Sequence, residues 1–236
     1  MNLVRSACLV VALVVSSGSD VTAQDYDKGF NAYEAGDFVT ALEEWRLLAE
    51  LGDADARFNL GLMYQNGDGV PQDDAEAAIW YRLAAEQGHA GGQYSLGGLY
   101  ENGQGVPQDY PEAARWYRHS AEQGDADAQF NLGGMYYDGE GVPQDYSKAA
   151  RWYRLAAKQG DADAQAILGI MYVLGRGVPQ NNVRAHMWFD ISASNGGAIG
   201  VESSGKIAEH MTTADISQAQ AMAHECMSSG YSDCGW

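Results

Sequence analysis

Few residues in this chain carry the chemistry of a reactive site, and most of those group at one end. Cys226 and Cys234 flank Gly230, and His224 stands beside the first of them. Two thiols and an imidazole are metal ligands in kind, but no fourth ligand follows at a recognisable spacing. In an oxidising compartment the natural product is a Cys226–Cys234 disulfide. Closing so short a loop is worth about 2–3 kcal/mol by chain entropy. The segment Asn66–Glu76 faintly resembles a calcium loop but lacks alternating acids at its first positions. There is no His-Glu-x-x-His, no phosphate-binding Gly-Lys-Ser/Thr loop and no Gly-x-Ser-x-Gly elbow. The five histidines, His89, His119, His186, His210 and His224, are scattered. These residues predict no catalytic group, no metal and no cofactor.

What positions the remaining side chains is a period. Gly61, Gly97, Gly133 and Gly169 recur every 36 residues, as do Tyr64, Tyr100, Tyr136 and Tyr172. Pro71, Pro107, Pro143 and Pro179, and Trp80, Trp116, Trp152 and Trp188, keep the same register. A fixed period in this range marks a stacked repeat array. Each unit reads as two helices. In the third copy Ala128, Leu132, Met135 and Tyr136 share one helical face. Asp125 precedes them as an N-cap, and two glycines and a proline break the pattern over Asp138–Gln144. Asp145 caps a second helix that carries Ala149, Trp152, Tyr153 and Ala156, and Gly160 ends it. Asp73/Glu76 and Asp109/Glu112 have capping-box spacing. The Trp-Tyr pairs read as core, and Trp152→Ala is expected to cost about 3–5 kcal/mol.

The pattern Ala-x-x-x-Leu-Gly-x-Met-Tyr-x-x-Gly-x-Gly-Val-Pro-x-Asp, followed by Ala-x-x-Trp-Tyr-x-x-Ala-Ala-x-x-Gly, resembles the Sel-one-like repeat, a relative of the tetratricopeptide repeats. The resemblance covers about Ala54–Gly196. It implies an all-α fold, a right-handed α-solenoid of stacked antiparallel helix pairs, acting as an adaptor or scaffold. Some cysteine-rich relatives are associated with β-lactam binding, but their regular cysteine pairs within repeats are absent here.

The chain divides accordingly. Residues 1–23 read as a secretory signal, with Arg5, an apolar Ala7–Val15 too short for a bilayer, and cleavage after Ala23. Residues 24–53 form a tetratricopeptide-like helix pair, with a first helix over Tyr26–Ala35 and Trp45 in the place of Tyr81. Four repeats follow at 54–89, 90–125, 126–161 and 162–197. The fourth drifts: Asn181 replaces the capping Asp, Phe189 replaces Tyr, and His186 replaces Ala. Residues 198–236 read as a capping helix pair. The mature product is expected in the periplasm or outside the cell, with no membrane insertion.

Thirty-two acids face fourteen bases, a formal charge of −18. That balance argues against nucleic acid, whose phosphates need Lys and Arg. Many acids stand at helix starts, where they cap and complement the dipole.

Opposite the core stripe, each first helix carries a second face. On the concave side that the resemblance implies, this face forms a row: Phe58, Asn59 and Gln65, then Tyr94, Ser95 and Glu101, then Gln129, Phe130, Asn131 and Tyr137. Rings beside amides suit an extended peptide or a partner helix. The aromatic members equally suit packing between units. The expected function is non-catalytic binding of a protein or peptide. The alternatives are a cell-wall- or β-lactam-related binding protein or hydrolase, and a self-associating module.

Overall fold

The computed structural model describes residues 18–235, with side chains from Tyr26. The segment 1–17, most of the expected signal, lies outside the described residues. Twelve α-helices and no strand are present among the described residues. They pair as α1 (Gly18–Glu34) with α2 (Phe38–Glu50), α3 (Ala54–Asn66) with α4 (Asp74–Ala85), and α5 (Ala90–Asn102) with α6 (Tyr110–Glu122). Then come α7 (Ala126–Asp138) with α8 (Tyr146–Lys158) and α9 (Ala162–Leu174) with α10 (Asn182–Ser194). The chain closes with α11 (Ala198–Ala208) and α12 (Thr213–Ser228). From α1 to α11 each helix packs on its neighbours in sequence, the arrangement of a solenoid. α1 starts at Gly18 rather than Tyr26, so the expected cleavage position falls inside a helix.

Two features of the sequence make each pair. The first is a ring seated on a glycine. A Cβ at Gly133 would lie 3.0 Å from Tyr153 Cδ1, and one at Gly97 2.8 Å from Tyr117 Cδ1. Gly61 stands against Tyr81 and Gly169 against Phe189 in the same way, each at 2.5 Å. Trp45 covers Gly29 identically. In the third unit the seated ring is the more buried one: Tyr153 is 4% exposed, whereas Trp152 is only half-buried. The large cost expected of Trp152→Ala therefore belongs to its neighbour. The second feature is the loop. Gly141 has φ +68° and lies so near the Tyr110 carbonyl that any Cβ would clash with it at 2.2 Å. Only glycine lets this loop dock its backbone on the preceding unit.

Polar ladders with the same period join the units. Arg46 Nη2 donates to Tyr64 Oη at 2.8 Å and Arg118 Nη2 to Tyr136 Oη at 2.9 Å, and Arg82 does the same to Tyr100. The side chain of Gln93 donates to the Ala85 carbonyl and accepts from Gln123. Gln165 repeats this with Ala157 and Asn195.

Aspartates cap most helices, as at Asp125 onto Ala128 N and Asp145 onto Lys148 N. The capping boxes close on one side only. Asp73 and Asp109 accept from the N–H of Glu76 and Glu112, but their own N–H groups already donate to Tyr64 and Tyr100 carbonyls. Glu76 instead accepts from Trp80 Nε1.

The last two helices do not form another such pair. α12 packs on α10 rather than along α11. Gly205 occupies the period position of Gly169, yet a Cβ there would meet nothing. Where a ring should cover it, the sequence has Glu225. α12 approaches instead through small side chains, Ala219, Ala223 and Cys226, all buried. Cys226 and Cys234 are joined in a disulfide that folds the tail back on this helix.

Candidate functional site

The expected row is divided by the structure into two parts. Five of its residues meet in one concavity of about 280 Å³: Gln65 from α3, Tyr94, Ser95 and Glu101 from α5, and Asn131 from α7. Its lining also includes Tyr117, a member of the Trp-Tyr pairs expected in the core. The Tyr117 hydroxyl donates to Glu101 Oε2 at 2.6 Å, and Tyr81 donates to Gln65 Oε1 at the same distance. Burial pushes the Tyr117 phenol up, and the Glu101 hydrogen bond and negative charge push it further. Burial likewise raises Tyr81. Both phenols stay protonated at neutral pH and present fixed donors to carboxylate and amide oxygens. What these groups offer is hydrogen bonding, with no nucleophile-and-base pair among them.

The aromatic members of the row pack inward and stay partly open. Phe58 stacks on His89 at 4.6 Å and lies 5.8 Å from Tyr81. Tyr94 lies 5.7 Å from Tyr117, and Phe130 meets Tyr153 edge-on at 5.5 Å. Each remains half-buried, so packing and an exposed edge coexist.

Three residues of the row have other work. Gln129 is 4% exposed. It donates to the Ala121 carbonyl and accepts from Gln159, so it is a rung between units and not a groove residue. A helical wheel places it near the groove, but the neighbouring helix end covers it. Asn59 donates to Tyr26 Oη at 3.0 Å, tying α3 to α1. Tyr137 accepts from Arg176 Nη1 at 2.7 Å, and Arg176 also lies over the Tyr146 ring. No group of His, Cys, Asp and Glu able to hold a metal occurs among the described residues.

At the C-terminal end the same face changes character. Ile170, Val173 and Leu174 of α9, Phe189 of α10 and Ile207 of α11 line a concavity of about 540 Å³, with Lys206 and His210 at its edge. Val173 holds the period position of Glu101, and Phe189 that of Tyr117. Both members of the hydrogen-bonded pair have become apolar together. That paired change was visible at the 36-residue spacing.

Comparison with known proteins agrees with this architecture. A protective antigen of uropathogenic Escherichia coli strains with an SLR fold matches 91% of this chain at 35% identity and a TM-score of 0.79. This chain spans 46% of that antigen, about half its length. A Sel1 repeat protein from Oxalobacter formigenes matches 87% of the chain, and 77% of its own, at 31% identity and a TM-score of 0.71. An exopolysaccharide production negative regulator of Rhizobium leguminosarum bv. viciae is 49% identical over 49 residues, which is 18% of its length and 21% of this chain. The Sel1 repeat profile matches residues 54–89, 90–125, 126–161 and 162–197. The ring-on-glycine pairs, the docked loops and these four matches place the chain in the Sel1 repeat family.

Proposed function

We propose that the protein is a non-catalytic scaffold that binds an extended segment of another protein along the first-helix face. The observation that carries this reading is the concavity around Glu101. There, side chains from α3, α5, α6 and α7 bring amide, hydroxyl and carboxylate groups to one opening that the half-buried ring of Tyr94 also lines, and Phe58 and Phe130 are half-buried on the flanking first helices α3 and α7. Amides and carboxylates bind peptide backbone, and ring edges give area, the usual division of labour in peptide recognition. The Cys226–Cys234 disulfide favours an oxidising compartment, so we place the protein in the periplasm or outside the cell. No helix among the described residues is long and apolar enough to cross a membrane.

The test is a crosslinking pull-down from the extract of the native compartment, using the full chain and a Glu101→Ala/Asn131→Ala variant. A saturable protein partner lost in that variant, but kept in an exposed-surface control such as Glu122→Ala, supports the reading. Equal capture by all three chains refutes it.

A further inference from the structure

A second site lies away from the groove, between α8, α9 and the start of α10. Arg154 of α8 and Arg184 of α10 converge on one hydroxyl. Arg154 Nη2 is 3.5 Å and Arg184 Nη1 3.3 Å from Tyr172 Oη. Together with Pro179 and Asn181 they line a concavity of about 320 Å³. Among the described residues, neither arginine has a carboxylate within ion-pair distance. In a chain of charge −18, two neighbouring guanidinium groups with no acid in reach among the described residues need an explanation. The Nε atom of Arg154 is buried with no hydrogen-bond partner among the described residues.

The repeats provide internal controls, because the same frame occurs four times. In the first unit it holds Arg46, Asp73 and Glu76, one base against two acids. In the second it holds Arg82, Asp109 and Glu112, with the same balance. In the third Glu becomes Lys148, but Asp145 lies 3.4 Å from its ammonium. Only in the fourth are all acids gone: Asn181 replaces the aspartate and Arg184 replaces the glutamate or lysine. Asn181 still caps α10 through its carbonyl oxygen, accepting from Arg184 N at 3.0 Å. The cap survives while its negative charge is removed. Arg184 is held in place by stacking over the Tyr172 ring at 5.7 Å and by donating to the Gly235 carbonyl, which the disulfide brings near.

We propose that Arg154, Arg184 and Tyr172 form a binding site for an oxyanion, a carboxylate or phosphate group carried by a ligand. Planar guanidinium forks match both, and charge-assisted hydrogen bonds to them are the strong kind. Holding Arg184 in advance lowers the ordering cost of binding. The start of α10 adds its own positive potential. The site stands independently of the groove, and neither reading depends on the other.

The experiment follows the arginine Nε–H signals by NMR in the full chain at low salt. Inorganic phosphate and N-acetylglycine are titrated separately. A saturable shift confined to Arg154 and Arg184, with a dissociation constant of about 0.1–10 mM, is expected for one of them. The tighter probe assigns the group as phosphate or carboxylate. Asn181→Asp restores the cap found in the other units, so it should fold normally, and it should weaken binding about tenfold or more. Arg184→Gln should do the same and serves as a second variant. The reverse pair Asp145→Asn and Lys148→Arg should create a second saturable site at Arg118. No saturable shift with either probe overturns the proposal. So do shifts spread over all arginines, or unchanged affinity in folded Asn181→Asp.

Discussion

The groove has two stretches built on one backbone plan. At its centre, Glu101 accepts from the Tyr117 hydroxyl, and the opening is polar. At its C-terminal end, Val173 and Phe189 hold the same two positions, and the opening is apolar and larger. The seat is common to both: Gly97 lies under Tyr117 as Gly169 lies under Phe189. Packing therefore fixes the ring, and only the atoms beyond the ring decide what the groove presents. Stability and surface chemistry are separable in this repeat, which lets one fold carry different faces along its length.

The largest effects should test the common half of that statement. Tyr117→Ala and Phe189→Ala should each cost about 3–5 kcal/mol, measured by urea unfolding. Similar losses would show that both rings act as spacers between helices. A much smaller loss at Phe189 would mean that the C-terminal stretch closes by other contacts. Because α10 also carries α12, reduction of the Cys226–Cys234 bond should then act locally. It should cost about 2–3 kcal/mol and raise hydrogen exchange in α12 and the tail while leaving α5 and α6 protected.

The difference between the stretches should appear at high pH. Tyr81, Tyr117 and Tyr153 have folded-state values raised above the ordinary value of 10.0, chiefly by burial. A raised phenol binds its proton more tightly in the folded chain, so its stabilising effect is complete below pH 10 and is lost as pH rises beyond that. Phe189 contributes no such loss. Urea midpoints compared at pH 8 and pH 11 should fall in the native chain and fall less in Tyr117→Phe. At neutral pH that variant should cost about 1–2 kcal/mol, because Glu101 loses its donor. An unchanged pH dependence would separate the alkaline loss from this hydroxyl.

How far the sequence was readable depended on where each partner comes from. Gly133 and Tyr153 belong to one unit, so their spacing announced the helix pair. Gln129 was placed on the groove because its own helix puts it near there; the carbonyl that occupies it belongs to Ala121, in the preceding unit. The Arg46–Arg82–Arg118–Arg154 ladder also crosses units. It kept the period in plain view, but nothing in an arginine's type says that a tyrosine hydroxyl is its acceptor. The packing of α12 on α10, and not the helix itself, went unread for the opposite reason. Its apolar stripe is a sound helix signal, but the stripe does not reveal that Glu225 stands where a ring would have locked it to α11. Periodicity reports what each unit does with itself, while contacts between units must be seen.

The smallest expected effect is the sharpest test of separability. Val173→Glu with Phe189→Tyr would write the central pair into the C-terminal stretch. The ring keeps its seat over Gly169, and the added hydroxyl meets an added carboxylate, so no buried polar group is left alone. The net change should stay within about 1 kcal/mol, since a satisfied buried hydrogen bond is worth little in balance. Phe189→Tyr alone should cost more than the double change, because its hydroxyl would face Val173. A double-mutant cycle measures that coupling directly. Favourable coupling would establish the pair as a portable unit of the repeat. Coupling near zero would mean that the 2.6 Å contact at Glu101 depends on neighbours found only at the centre, such as Asn131, and that the two stretches differ in more than the atoms at these two positions.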